Sequence, residues 1–393
     1  MKQIRIRFDR RDKTVLWSLL ALSAVAFLML YRLGSQLPEL SVTERTSASA
    51  VYGWHGISAN PFFLPLNALR SLSFLLLGHS AFVTRLPNAL FGIVTVGLFA
   101  VLIRFWHGNR TALFSTILFA CSSWLLHISR LASVDVMYLL AVPLLLVVQL
   151  LMHKRATNPF VWYGSIAVCC LMLYVPGLVW LIALSLYWQR NAIAMGWRRF
   201  ARPWQRALYV YAGIGWLPLL VLRLHDIDHL KQWLGLPHVF SIATVARQIL
   251  FVPVHLLVRG PNDPERWLGH APLLDVFSLA LVALGLYFYV RHYRATRSRL
   301  LASYWLVGTL LVGLGGSVTL STVVPLLYVL TATGVAYLVH EWLHVFPRNP
   351  IARQIGIGLV ALAIATSCGY NLRAYFVAWP HAEPTLTAFQ TSR

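Results

Sequence analysis

Residues 37–92 read LPELSVTERTSASAVYGWHGISANPFFLPLNALRSLSFLLLGHSAFVTRLPNALFG, a polar opening with Glu39, Glu44 and Arg45 that gives way to apolar sequence and then to Arg85-Leu86-Pro87. On either side lie runs of apolar residues, near 14 to 31 and 86 to 103, each about long enough to cross a bilayer. The stretch is therefore a loop between two membrane spans, and residues 32 to 85 form the first of two long extramembrane segments.

The rest of the chain repeats this pattern. Of 393 residues, 58% are apolar and only 11% are charged. A water-soluble domain holds about 45–50% apolar and about 25% charged residues, so the charge needed to cover a solvated surface is missing. Eleven apolar runs are expected as spans, near 14 to 31, 86 to 103, 111 to 127, 136 to 152, 159 to 174, 176 to 188, 207 to 222, 274 to 290, 301 to 316, 317 to 339 and 355 to 376. The fold class is an all-α polytopic membrane protein, with residues 1–393 as a single integral-membrane domain and no separate soluble domain. The second long loop is 223 to 273, and both long loops are expected to carry short amphipathic helices. One of these is 239 to 258, which reads as a helix lying on or dipping into the membrane surface. The tail from Pro380 reads as disordered.

The net charge of +21 would suggest nucleic acid in a soluble chain, whereas here its distribution gives orientation. With the amino terminus inside, the cytoplasmic segments 1 to 13, 104 to 110, 153 to 155, 189 to 206, 291 to 299 and 340 to 354 hold 21 of the 33 basic residues. Nine of the twelve acids fall outside. Carboxylate chemistry is thus expected on the external face, the first run reads as an uncleaved signal anchor, and no nucleic-acid partner is expected. The four cysteines all lie in apolar runs and read as small core residues.

The order of elements from 37 to 140 resembles a known family. Acids just past the first span are followed by Asn60-Pro61, then by Arg85-Leu86-Pro87-Asn88-Ala89-Leu90-Phe91-Gly92, then by Ser123-Trp124-Leu125-Leu126-His127-Ile128-Ser129-Arg130. Together they resemble the GT-C membrane glycosyltransferases of the protein O-mannosyltransferase and lipid A aminoarabinose transferase branch. The resemblance implies a GT-C-like fold and a polyprenyl-phosphate sugar donor in the cell (inner) membrane. It also implies a protein, glycan or lipid acceptor and transfer on the external side. No cofactor is expected, with a divalent cation left open.

Family members typically carry an Asp-Glu pair in the first loop, whose Asp is the base. The matching position here is Thr43-Glu44, so the Asp is absent. The base then falls to Glu44 first, with Glu39 as the other choice, because a hydroxyl attacks only as a carboxylate takes its proton. Asp135, between two spans, is the second catalytic candidate, and is equally suited to start a helix. The lipid phosphate needs cations, and the planar fork of Arg suits it. Arg130 and Arg85 come first, then Arg259 and Arg266, with His255 and His55.

Two other classes compete with this reading. A flippase or transporter of lipid-linked saccharides would share the spans and basic pockets, but would place ionisable groups at the midplane and show repeats, neither of which the sequence contains. His340-Glu341-Trp342-Leu343-His344 matches the zinc protease helix. It lacks a convincing third ligand nearby and reads as an interfacial helix end, so no metal site is expected.

Overall fold

The computed structural model describes residues 10–37, 39–49, 61–223, 227–237, 241–346 and 348–390. Each of the eleven apolar runs is helical: α1 (Arg10–Leu30), then, after the short loop helices α2 (Val42–Ser49) and α3 (Leu64–Leu77), α4 (Ala81–His107). α5 (Asn109–Ala120), α6 (Ser123–Arg130), α7 (Asp135–Arg155), α8 (Pro159–Leu173), α9 (Leu178–Arg199) and α10 (Arg202–Arg223) follow. The second long loop holds α11 (Ile227–Trp233) and α12 (Ile242–Leu257), and beyond it come α13 (Val276–Arg291), α14 (Thr296–Gly313), α15 (Val324–Val345), α16 (Pro350–Arg373) and α17 (Glu383–Phe389). Among the described residues, Ala81–His107, Asp135–Arg155, Leu320–Val345 and Pro350–His381 are each long and apolar enough to cross a membrane. Large apolar side chains such as Leu75, Leu76, Leu359 and Leu362 stand exposed, as they do on a protein that faces lipid.

Local chemistry starts and stops these helices. Ser80 caps α4 by accepting from the Val83 N–H, Asn158 caps α8 ahead of Pro159, and Asn349 caps α16 ahead of Pro350. Gly108, at φ 87°, ends α4 in a conformation that glycine adopts without strain. α13 and α15 cross closely, because a Cβ on Gly285 would collide with the Leu330 carbonyl and one on Gly334 with that of Leu281. α7 is the hub, with Val136 to Val142 almost wholly buried against its neighbours.

Three expectations are corrected. The run 111 to 127 is not one straight helix: α5 and α6 meet at 60°, where Ser122 caps the new helix by accepting from the Leu125 N–H. The short run 176 to 188 continues as helix to Arg199, so most of the supposed loop 189 to 206 is helical and amphipathic. The described tail, from Pro380 to Gln390, is ordered, with Thr385 and Phe389 of α17 buried and the Phe389 ring edge-on against Trp379 at 5.9 Å. The helix within 239 to 258 packs Ile249 against Gly313 of α14 and buries Val252 and Leu256, while most of its other residues stay exposed.

Candidate active site

Ser41-Val42-Thr43-Glu44 is a capping box. The Ser41 hydroxyl accepts from the Glu44 N–H and the Glu44 carboxylate accepts from the Ser41 N–H, both at 3.2 Å, which starts α2 and fixes the Glu44 side chain. Arg85, in the second turn of α4, meets it with a two-pronged ion pair: Nε donates to Oε1 at 2.8 Å and Nη2 to Oε2 at 2.7 Å. The Ala132 N–H donates to Oε1 at 2.8 Å. Each Glu44 oxygen therefore accepts two hydrogen bonds, and Glu44 and Arg85 are 2% and 1% exposed. Arg85 also donates to the carbonyls of Leu33 and Glu39. The expected base and one expected phosphate ligand are joined in a buried clamp that ties α1, the first loop, α4 and the turn after α6 together.

Arg130 is held in a similar way. Its Nη1 donates to the Leu28 carbonyl at 2.6 Å and its Nη2 to the Tyr31 carbonyl at 2.6 Å and to Gln36 Oε1 at 2.8 Å. Its Nε donates to the Tyr375 hydroxyl at 3.1 Å. These contacts satisfy carbonyls left over at the end of α1, the usual need of a helix C-terminus. The two arginines expected to meet the lipid phosphate thus have their guanidinium groups committed to protein acceptors. Glu39 pairs with Arg45 at the surface.

The second loop approaches the first from the other side. The Thr43 hydroxyl donates a hydrogen bond to Glu265, so a carboxylate from residue 265 stands at the position where the resemblance expects an Asp. Beside it, Arg266 pairs through Nη1 with Asp135 Oδ2 at 2.7 Å and through Nε with Asp263 at 3.5 Å. Asp135 is 2% exposed, and its Oδ1 makes no hydrogen bond among the described residues. The loop is tied down at Pro264, whose carbonyl accepts from Trp379 Nε1 at 3.1 Å and from the Thr385 hydroxyl. Trp267 is buried against Trp124 and His127, and His127 in turn lies against Tyr375 and Trp379.

Next to this junction, α12 borders a cavity of about 540 Å³ lined by Thr244, Arg247, Gln248, Phe251 and His255, and closed by Val312 and Leu320. Leu320 follows Thr319 in the turn that packs against α7, the helix that Asp135 begins. Arg247 and Arg259 form no ion pair among the described residues, and Arg259 is exposed. The structure thus brings together Glu44, Arg85, Asp135 and Arg266, and sets Arg130 behind them. His55 lies outside the described residues. Sequence reasoning missed Glu265 and Arg247 as site residues. Asp263-Pro264-Glu265-Arg266-Trp267, two acids within three residues of an acid-poor chain, was the available signal.

His340 and His344 stand one turn apart on α15, with ring centroids 6.4 Å apart. Among the described residues no third His, Cys, Asp or Glu joins them.

This helical architecture, with two loops meeting over the hub helix, is the GT-C membrane glycosyltransferase fold. Residues 64–222 match the family described as dolichyl-phosphate-mannose-protein mannosyltransferase. The chain is similar to ArnT from Cupriavidus metallidurans in the apo state, with a TM-score of 0.61 at 12% identity over 96% of this chain and 78% of that one. It is also similar to the same protein bound to undecaprenyl phosphate, with a TM-score of 0.54 at 12% identity over 95% and 77%. The Archaeoglobus fulgidus oligosaccharyltransferase tethered with an acceptor peptide gives a TM-score of 0.56 at 14% identity, over 92% of this chain and 55% of that one. No curated protein sequence matches the chain. It is an integral membrane protein that shares the fold of ArnT and resembles the ArnT and protein O-mannosyltransferase branch, as residues 37–140 suggest.

Proposed function

We propose that the protein is a glycosyltransferase that moves a sugar from a polyprenyl-phosphate donor to the hydroxyl of a protein, glycan or lipid acceptor. The reaction runs on the external face of the cell (inner) membrane, with the amino terminus in the cytoplasm. The family match and the fold support the reaction class, and the neighbour bound to undecaprenyl phosphate supports the donor type. The charge distribution supports the orientation.

The observation that carries the site assignment is Glu265 against Thr43. A base must have a lone pair to offer. Glu44 has both oxygens filled, whereas Glu265 is partly exposed and bonded by a single side chain among the described residues. Glu265 takes the acceptor proton as the acceptor oxygen attacks the anomeric carbon from the face opposite the phosphate. The bond from that carbon to the phosphate oxygen breaks, its electron pair leaves with the lipid phosphate, and the anomeric centre inverts. Arg247 and His255 balance the phosphate charge from the α12 cavity, with exposed Arg259 just past the end of α12. Asp135 holds Arg266 in place. Glu44, Arg85 and Arg130 form the frame.

Purified protein incubated with a panel of polyprenyl-phosphate sugars and candidate acceptors should release polyprenyl phosphate with at least one donor. No release from any donor, with the lipid bound but unchanged, would favour a carrier instead.

A further inference from the structure

The far end of α7 carries a second basic site, unconnected with the proposed reaction. Gln149 lies about 21 Å along the helix from Asp135 at 1.5 Å rise per residue. There the last turns of α4 and α7, the middle of α9 and the first turn of α14 border a cavity of about 470 Å³. Arg190, Arg297 and Arg299 line it with His153, Asn191 and Gln149. Among the described residues that line it, none is acidic, and none of the three arginines has an ion-pair partner. α14 starts here without a side-chain cap, and Thr296 and Arg297 of its first turn face the same space, so helix N–H groups add to the positive field.

Two further features define what fits. The apolar walls, Leu146, Leu150, Leu300, Trp106 and Trp188, belong to a molecule with a hydrocarbon part. Gln149 is 5% exposed and its Oε1 has no partner among the described residues, so the site presents one buried acceptor among many donors. A phosphodiester has no O–H of its own to offer that acceptor, whereas a diester whose head group also carries a hydroxyl does.

We propose that this cavity binds the phosphate head group of an anionic amphiphile, the phosphate on Arg190, Arg297 and Arg299 and a head-group hydroxyl on Gln149, as in phosphatidylglycerol. The arginines, the open helix terminus and the interfacial Trp residues form a head-group pocket of the kind found between helices near a membrane surface.

The test is a binding isotherm by native mass spectrometry on the full-length protein, with phosphatidylglycerol, phosphatidylcholine and polyprenyl phosphate as probes. Glycerol phosphate and inorganic phosphate serve as competitors. Phosphatidylglycerol should bind saturably and phosphatidylcholine should not. Arg190→Gln with Arg299→Gln should weaken binding about tenfold or more, while Arg198→Gln, which removes one charge outside the cavity, should leave it unchanged. Gln149→Leu should reduce the preference for phosphatidylglycerol over phosphatidic acid. Competition by the soluble phosphates, or binding of polyprenyl phosphate that needs the same arginines, supports the phosphate chemistry and identifies its source. Equal binding by phosphatidylcholine, or unchanged binding in the double variant with retained melting temperature, overturns the proposal.

Discussion

Two carboxylates meet at the first loop from opposite directions, and their surroundings differ. Glu44 belongs to that loop, is almost fully buried, and accepts four hydrogen bonds, two of them from Arg85. Glu265 arrives from the second loop, is partly exposed, and accepts from the hydroxyl of Thr43. A carboxylate saturated by donors has no lone pair directed at a substrate. The arginines divide in the same way, with Arg85 and Arg130 committed to protein oxygens and Arg247 and Arg259 not. On the proposed function, unfilled hydrogen-bonding capacity, rather than burial or charge, separates the groups that react from those that form the frame.

The sharpest break of the comparison is a pair of Gln variants. Glu265→Gln should lower turnover by about 10²–10⁴-fold while donor binding persists, measured as polyprenyl phosphate released per folded molecule. Adding Thr43→Asp to that variant should recover part of the loss by restoring a carboxylate at the same place. Full turnover in Glu265→Gln would remove it from the chemistry.

Glu44→Gln should act on stability instead, by about 3–5 kcal/mol, because it leaves the Arg85 charge buried without its partner. Thermal unfolding would read this, and joint replacement by Glu44→Gln and Arg85→Met should be milder than the sum of the two. If Glu44→Gln melts like the wild type yet turns nothing over, the base is Glu44 after all.

For the arginines, Arg247→Gln should raise the donor KM about tenfold with little change in melting temperature, the loss of one charge-assisted contact. Arg130→Lys should lower the melting temperature and leave KM alone, since Lys cannot reach the Leu28 and Tyr31 carbonyls together. The reverse pattern would return Arg130 to the phosphate. The smallest effect is expected from Trp379→Phe, which removes one hydrogen bond to Pro264 at about 1 kcal/mol and should show as faster amide exchange in residues 260–271.

What the sequence made readable follows from the range of the forces involved. Apolar runs and caps are local, so each run became a helix, and Ser41-Val42-Thr43-Glu44 states its capping box in four letters. The break at Ser122 is also local, but an apolar run of that length conceals it. The pairing of Glu44 with Arg85 spans 41 positions and that of Thr43 with Glu265 spans 222. No pattern within a window reports such contacts, so the residues could be nominated but not assigned their partners.

The anchoring of Pro264 by Trp379 and Thr385 also bears on the order of synthesis. The loop that carries Glu265 is made long before residues 379 to 385, yet its backbone is fixed by them. A nascent chain stalled before Trp379 would hold the helices already inserted and the Glu44 clamp already closed, with Glu265 unplaced. On the proposed function, the chain would gain its placed carboxylate only once α17 and the turn before it had docked onto the second loop.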